Sequence, residues 1–201
     1  MNILLIDDHV LFAKSLEIAL EDYTEIEKFI YIKDISQVIS IIKNEKPDII
    51  LIDINLGKID NDGLSLAKDI IRMIPKVNIV MLTGYDLPVY KYEAQKMGTK
   101  GFINKNIEPD KFIEILNQIQ NGYNYFPDEI KYIEELTDRE KIILQFLYNG
   151  VKRKDIASQL YLSERTVSNH IQNIFDKLNV SSSLEAVTKG VQLGYIKLNM
   201  Q

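Results

Sequence analysis

The sequence predicts an α/β protein, in which a five-stranded, doubly wound parallel sheet is followed by a small all-α domain of four helices. Two observations favour this fold class. Short apolar segments alternate with helical periods up to residue 121, whereas only helical periods occur from Thr137 onward. Repeated βα units favour parallel strands, because each connection returns along a helix. We therefore place the first domain at residues 1–121, a linker at 122–135 and the second domain at 136–201.

Five short apolar segments are predicted as the strands of the sheet. They are NILLI (2–6), KFIYI (28–32), DIILID (48–53), NIVML (78–82) and GFIN (101–104). The first, third and fourth are almost continuously apolar, which is typical of parallel strands covered on both faces. We therefore expect helices on both faces of the sheet.

Helical periods lie between these strands. Two apolar stripes at helical spacing stand out: Leu64, Ala67, Ile71 and Ile74, and then Phe112, Ile115, Leu116 and Ile119. Pro75 follows the first stripe and Gly122 the second, and both residue types commonly end helices. The stretch GYNYFPDEIKYIEE that follows suits a linker whose tyrosines pack on one of the domains.

Four helices are predicted in the second domain. Thr137 and Glu140 have the spacing of a capping box at the start of the first helix. KRKDIASQL (152–160) predicts a second, shorter helix, and Ser163 is expected to cap the third. The stripes expected to face the core are Ile142, Ile143, Phe146 and Leu147 in the first helix, Val167, Ile171, Ile174 and Leu178 in the third, and Leu184, Val187, Val191 and Leu193 in the last, which is expected to end at Gly194.

The composition excludes several classes of protein. There is no cysteine, so disulfide frameworks and thiolate metal sites are excluded. No segment approaches the roughly 18 apolar residues of a membrane span, and the start of the chain lacks the basic region of a signal peptide. We expect a cytoplasmic protein without membrane contact. Residues 134–201 carry a net charge of +1 and residues 1–133 carry −6. Any DNA binding must therefore depend on a few basic side chains at suitable positions.

Polar side chains follow four of the predicted strands. They are Asp7 and Asp8 after the first, Asp53 at the end of the third, Thr83 after the fourth and Lys105 after the fifth. The carboxyl ends of parallel strands share one edge of a sheet, where such proteins bind ligands. Three carboxylates suit Mg²⁺, with the backbone carbonyl of Asn55 as a further ligand, and Asp53 would be the nucleophile in phosphoryl transfer. Any single acid here could instead cap a helix, as Asp8 could before His9.

With these residues identified, the first domain resembles the receiver domain of two-component response regulators, which has a flavodoxin-like fold. The matching motifs are IDDH (6–9), DIN (53–55), the Thr-Gly pair at 83–84 and the Asn-Lys pair at 104–105. The resemblance implies phosphorylation of Asp53 by a sensor histidine kinase, Mg²⁺ at Asp7, Asp8 and Asp53, and contacts from Thr83 and Lys105 to the phosphoryl group. Phe102 takes the place of the family's rotating switch aromatic, although a buried structural phenylalanine is nearly as good a reading. Gly84 would leave room for the phosphoryl group.

One stretch departs from the pattern of that family. The family usually has a proline four residues after the phosphorylated aspartate and a glycine eight after it. Here Gly57 stands in the proline position and the next glycine is Gly63, so the loop is two residues longer and gains Asp60 and Asp62. The competence-type quorum regulators have a similar Asn-Leu-Gly stretch. The longer loop puts the autodephosphorylation rate and the kinase contacts in question.

The segment KRKDIASQLYLSERTVSNHIQ has the pattern of a helix-turn-helix. With Val167 and Ile171 facing inward, the outward side chains of the second helix are Arg165, Ser168, Asn169 and Gln172. Asn and Gln can pair with adenine in the major groove, and Lys or Arg with phosphates. The basic side chains expected to contact DNA phosphates are Lys152, Arg153, Lys154, Arg165 and Lys177. A solvated polar face is the alternative reading.

LTDREKIIL, the frame IAxxLxxSxxTVxxHxxNIxxKL and EAV (185–187) resemble the LuxR-type DNA-binding domain. A receiver followed by this domain is typical of the NarL/FixJ class of response regulators. The resemblance implies base contacts from Ser168, Asn169 and Gln172, places Thr166, His170 and Lys177 near the DNA backbone, and makes the final helix a dimer interface. The usual basic residues of the recognition helix are absent, which predicts weaker nonspecific affinity.

We therefore expect a non-enzymatic transcription regulator that dimerises when Asp53 is phosphorylated and then binds two half-sites of double-stranded DNA. It would lose its phosphoryl group slowly by autodephosphorylation, and RNA polymerase is a further candidate partner. Two alternatives stay open. A phosphatase of the haloacid dehalogenase type would need an acid at Asn55 and leaves the helical domain unexplained. A phosphorylation-independent DNA binder or an adaptor would make the receiver silent.

Overall fold

The computed structural model describes residues 1–57, 63–84, 86–127 and 134–196. The chain forms two compact units, whose boundary along the sequence lies near residue 130. The first unit contains the sheet and the second is helical, so the predicted fold class is confirmed. In the part of the chain that is described, no helix is both long enough and apolar enough to span a bilayer.

All five predicted strands are present and form one parallel sheet in the order β2-β1-β3-β4-β5. They are β1 (Asn2–Ile6), β2 (Lys28–Ile32), β3 (Ile49–Asp53), β4 (Ile79–Thr83) and β5 (Gly101–Asn104). The register pairs Asp53 with Leu82, and Thr83 with Asn104. The last residues of β3, β4 and β5 therefore lie side by side at one edge of the sheet, next to the end of β1.

Helices cover both faces of the sheet. They are α1 (Val10–Leu20), α2 (Val38–Glu45), α3 (Gly63–Met73), α4 (Pro88–Met97) and α5 (Pro109–Gln120). Alternate strand residues feed two apolar cores: Leu4, Ile50 and Met81 pack with α2 and α3, while Leu5, Leu51 and Leu82 pack with α1 and α5. The stripe predicted for α5 is fully buried. In α3 the buried isoleucine is Ile70, and Ile71 is only partly buried.

The residues that follow α5 pair with the outer edge of β5. The Tyr125 amide donates to the Lys100 carbonyl at 2.9 Å, and the Phe102 amide donates to the Tyr125 carbonyl at 2.9 Å. The Lys91 ammonium donates to the Pro127 carbonyl at 2.7 Å. Residues 123–127, which we call the edge segment, therefore extend the first unit beyond the predicted end of its last helix.

The second unit contains the four predicted helices. They are α6 (Asp138–Tyr148), α7 (Arg153–Gln159), α8 (Glu164–Leu178) and α9 (Ser183–Leu193). The predicted capping box is present, since the Thr137 side chain accepts from the Glu140 amide and the Glu140 side chain accepts from the Thr137 amide. Ser163 caps α8 by accepting from the Thr166 amide at 3.1 Å. Gly194 ends α9 in the left-handed region, at φ +94°.

Two of the predicted stripes in this unit are wrong in part. Ile142 is 44% exposed and Leu184 is 76% exposed. The buried residues of α6 include Ile143 and Leu144, and those of α9 are Ala186 and Gly190. A Cβ on Gly190 would lie 2.9 Å from Leu144 Cδ2, so α9 approaches α6 closely through its small residues. The large Leu184 is thereby left on the outer side of α9. The stripe predicted for α8 is confirmed.

Candidate functional site

The carboxyl ends of β1 and β3 bring three acidic side chains together. Asp7 follows β1 and is fully buried, Asp53 ends β3 and is 2% exposed, and Asp8 is partly exposed. One oxygen from each of these acids and one ring nitrogen of His9 all lie within 4.8 Å of one another. The predicted convergence of these acids is therefore present in the structure.

Lys105 brings a positive charge into this group from the end of β5. Its Nζ lies 2.7 Å from Asp7 Oδ2 and 3.0 Å from Asp53 Oδ2. The same ammonium lies 4.6 Å from the centre of the Phe12 ring, which contributes a weak cation–π attraction. Thr83 is buried at the end of β4, and its carbonyl accepts from the Lys105 amide at 2.8 Å. Thr83 and Lys105 are thus held at the same edge as the acids.

The pocket carries more negative than positive charge. Three carboxylates face one ammonium, which leaves an excess of two negative charges that a divalent cation would neutralise. The pKa of Asp53 is raised, chiefly by burial and further by the negative charge of Asp7. Lys105 and the hydrogen bond donated by the Asn55 amide lower this pKa but do not outweigh burial. Within the described residues, Asp7 Oδ2, Asp8 Oδ1 and Asp53 Oδ2 are buried without a well-directed hydrogen bond, although Lys105 or His9 lies close by. Buried carboxylate oxygens that lack such a hydrogen bond are suitable ligands for a metal ion, which the pocket could bind.

The ring of His9, next to the acids, is 62% exposed. It occupies the N-cap position of α1, so Asp8 does not have the capping role that was its alternative reading. The His9 amide donates to Asp7 Oδ1 at 2.8 Å, and Nδ1 lies 2.9 Å from Asp8 Oδ1. No sequence signal distinguished this contact from an ordinary helix start.

Two glycines near the pocket differ in their surroundings, since the backbone passes close to Gly63 but not to Gly84. A Cβ on Gly63 would lie 2.8 Å from the carbonyl carbon of Asp53, so only glycine fits at the start of α3. Among the described residues, a Cβ on Gly84 would meet nothing within 4 Å. The additional acids of the longer loop, Asp60 and Asp62, lie outside the described residues.

Phe102, the predicted switch aromatic, is completely buried in β5. It packs in the same apolar core as Ile52, Met81 and Ala94. Its backbone amide is bonded to Tyr125 of the edge segment. The described arrangement therefore has the ring inside the core.

The second unit presents a polar surface on the outer side of α8. Arg165, Asn169 and Gln172 are exposed, and Ser168 is partly exposed. They lie opposite the buried stripe, as expected. Lys152, Arg153 and Lys154 are exposed at the start of α7, while Thr166 and His170 are partly exposed on α8. Tyr161, in the turn between α7 and α8, is 96% exposed and has a positive φ of 55°.

Lys177 does not extend freely from α8. Its Nζ lies 2.8 Å from Glu140 Oε2 and 3.0 Å from the Glu135 carbonyl oxygen, and its side chain is only 21% exposed. Glu140 is 3% exposed. Burial alone would raise the pKa of Glu140, but the bonds from Lys177 and from Thr137 outweigh burial and lower it. This buried pair joins the start of α6 to the end of α8.

Both halves of the chain match known families. The family model described as response regulator receiver domain matches residues 3–117, more than half of the chain. The model described as bacterial regulatory proteins, luxR family, matches residues 134–189. The chain belongs to the response regulators with a LuxR-type domain.

Individual members of this family match along almost the whole chain. The transcriptional regulatory protein ComA of Bacillus subtilis is 32% identical, over 92% of this chain and 95% of that protein. DegU of Brevibacillus brevis, also a transcriptional regulatory protein, is 27% identical over 98% and 96% of the two chains. The solved complex of the two-component response regulator RcsB with DNA has a TM-score of 0.68 at 21% identity and covers 96% of this chain and 98% of that chain. The protein is therefore a regulator of transcription in a two-component system.

Proposed function

We propose that Asp53 is the phosphoacceptor of this regulator and that a sensor histidine kinase is the donor. The observation that carries the proposal is the convergence of Asp7, Asp8, Asp53 and Lys105 at one edge of the sheet, with Lys105 Nζ 3.0 Å from Asp53 Oδ2. An Asp53 carboxylate oxygen would bond to phosphorus while the phosphorus–nitrogen bond of the kinase phosphohistidine breaks. The electron pair of that bond returns to the imidazole.

The residues around Asp53 would divide the work of this transfer. Asp7, Asp8, Asp53 and the backbone carbonyl of Asn55 would hold Mg²⁺, which when bound neutralises charge on the transferred group. The Lys105 ammonium would contact the phosphoryl oxygens and stabilise their negative charge. Thr83, buried at the end of β4, would donate its hydroxyl to the product phosphate.

The new charge on Asp53 would change the balance between two states of the β4–α4 and β5 region. Thr83 and Lys105 would move toward the phosphoryl group, and Phe102 would act as the switch aromatic. Phe102 lies three residues before Lys105 on the same strand end, which supports such coupling.

The second unit would bind double-stranded DNA as a dimer on two half-sites about one helical turn apart. Ser168, Asn169 and Gln172 would contact base edges in the major groove. The residues near the backbone would be Lys152, Lys154, Arg165, Thr166, His170 and Lys177. Because Lys177 is paired with Glu140, its contact with a phosphate would have to compete with that pair. The complex of RcsB with DNA supports DNA binding by this architecture.

The domains would be residues 1–121 and 136–201, with a linker at 122–135, of which residues 123–127 pair with β5 of the first unit. The protein would act in the cytoplasm, without catalytic activity beyond slow loss of its own phosphoryl group. RNA polymerase would be a partner at the promoter.

Sedimentation velocity tests the central step. Wild-type protein and Asp53→Ala would be compared in Mg²⁺ with and without beryllofluoride, which imitates an acyl phosphate on aspartate. Asp69→Ala is a matched control, because Asp69 is an exposed acid on α3 away from the strand ends. We expect a monomer-to-dimer shift in the wild type and the control but not in Asp53→Ala. A shift in all three would refute the role of Asp53.

Nuclease-protection footprinting tests the second step. An adaptor function remains a second candidate because α8 has few basic side chains on its surface. Ser168 and Gln172 stand where this helix usually has Lys or Arg. Protection of a promoter that strengthens with beryllofluoride would support phosphorylation-controlled DNA binding. Equal protection without beryllofluoride would favour a constitutive binder, and an absence of protected sites would favour the adaptor.

A further inference from the structure

The loop that follows β3 passes directly against the side chain of Asp8. Gly57, in this loop, has a φ of +71°, in the left-handed region that glycine adopts at little cost. A Cβ at this position would lie 3.3 Å from Asp8 Cγ and would overlap Asp8 Oδ2. One oxygen of the Asp8 carboxylate therefore packs directly against the backbone of Gly57, where no side chain intervenes.

We propose that Gly57 is a positioning residue that sets the orientation of the Asp8 carboxylate in the cation pocket. The inference rests on the proposed role of Asp8 in holding Mg²⁺. Asp8 Oδ1 is buried and lies 2.9 Å from His9 Nδ1, whereas Oδ2 is the oxygen that lies against Gly57. The two oxygens of one carboxylate are rigidly linked, so a side chain at position 57 that displaces Oδ2 also turns Oδ1.

Displacement of Asp8 would lower cation affinity without unfolding the first unit. The Asp8 side chain is 29% exposed and lies outside both apolar cores, so it can rotate away from an added methyl group. Asp7 and Asp53 are buried and would stay in place. Mg²⁺ requires nearly ideal octahedral geometry, so a turned ligand costs affinity even when it remains nearby.

This positioning depends on a backbone route that the usual residue of the family cannot take. Gly57 stands where the family pattern has a proline, and the proline ring fixes φ near −65°, far from +71°. The inference therefore concerns this chain and relatives that also have glycine here.

Gly98 provides a matched control for backbone strain. It has a φ of +92°, so an alanine there is also strained by a left-handed backbone, as an alanine at position 57 is. Unlike at Gly57, a Cβ on Gly98 would meet no described atom within 4 Å. A difference between the two alanine variants therefore reports the contact with Asp8 and not the left-handed backbone.

The test is isothermal titration of the full-length protein with Mg²⁺ alone. The five proteins compared are the wild type, Gly57→Ala, Gly98→Ala, Asp8→Ala and the Gly57→Ala/Asp8→Ala double variant, each checked for folding by circular dichroism. We expect Gly57→Ala to bind Mg²⁺ about tenfold more weakly than the wild type, the size typical of residues that orient metal ligands. Gly98→Ala should bind like the wild type, and Gly57→Ala should cause no further loss once Asp8 is alanine.

Each contrary result has a separate meaning. Unchanged affinity in Gly57→Ala, or an equal loss in the Asp8→Ala background, would overturn the positioning role while leaving the pocket intact. A wild type without Mg²⁺ binding would refute the proposed metal site, and the positioning role with it. Should Gly57→Ala fail to fold, Gly57→Asn replaces it, because Asn tolerates the left-handed region but still adds a Cβ. Wild-type affinity in that variant would also overturn the inference.

Discussion

Each unit of this protein buries a group of charges, and the two groups differ in balance. In the helical unit, Glu140 Oε2 lies 2.8 Å from Lys177 Nζ and also accepts from the Thr137 amide. Lys177 donates in addition to the Glu135 carbonyl. In the α/β unit, Asp7 and Asp53 share the ammonium of Lys105, and Asp8 lies beside His9. Among the described residues, all three acids keep a buried oxygen without a well-directed hydrogen bond. The first group is neutral and satisfied, whereas the second is neither.

The difference teaches how buried charge can be divided between stability and function. A balanced, hydrogen-bonded pair is needed by the fold once it is buried, because removal of one partner leaves the other uncompensated. An unbalanced group costs stability and persists where binding of something else completes it. Substitutions in the two groups should therefore change stability in opposite directions.

The largest effect is expected from Glu140→Ala. The change leaves the Lys177 ammonium without its carboxylate and removes the acid of the capping box, so the helical unit should lose about 3–4 kcal/mol of unfolding free energy. Urea unfolding followed by circular dichroism measures the loss. Glu114→Ala is the control, because Glu114 pairs with Lys111 at 2.8 Å on an exposed surface, where a pair contributes at most about 1 kcal/mol. Equal losses in the two variants would remove the contrast between buried and exposed pairs.

A smaller effect of opposite sign is expected from Asp53→Asn. Without divalent cations, removal of one of three clustered charges should stabilise the first unit by about 1–2 kcal/mol. Mg²⁺ should then stabilise the wild type more than the variant, because the variant has less charge to neutralise. Thermal unfolding with and without Mg²⁺ measures both effects, with Asp69→Asn as the exposed control. A variant less stable than the wild type in the absence of Mg²⁺ would show that the pocket is not strained by its charge.

The smallest effect concerns acid. The pKa of Glu140 lies below its usual 4.5, so its ionised form favours the folded state above pH 4.5. That contribution should decline as the pH falls from 4.5 through the lowered pKa. Glu140→Gln should show a shallower loss of unfolding free energy over the same range. Parallel pH profiles for the two proteins would mean that Glu140 contributes nothing to acid sensitivity.

The sequence predicted the features that depend on residue type and chain direction. Asp53 and Thr83 could be placed at one edge because parallel strands end together, and Thr137 and Ser163 could be identified because capping is a local pattern. The partner of Lys177 lies 37 residues away and has no local signature. The exposure of Leu184 could not be predicted either, because it follows from the close packing of Gly190 on α6.

The edge segment was missed for a similar reason. Its pairing with β5 uses backbone groups of Tyr125, which any residue except proline supplies in full. Tyr125 and Phe126 then pack on opposite apolar cores. The sequence predicted that linker tyrosines pack on one of the domains, but it did not predict the pairing with β5.

The pairing of Tyr125 with β5 also decides how the receiver can be isolated. An unpaired strand edge is a template for association with other chains. A fragment ending at residue 121 would leave the Phe102 amide and the Lys100 carbonyl without the bonds they make to Tyr125. Such a fragment should self-associate through β5. A fragment ending after residue 127 keeps Tyr125 paired with β5, so that β2 is left as the unpaired edge strand.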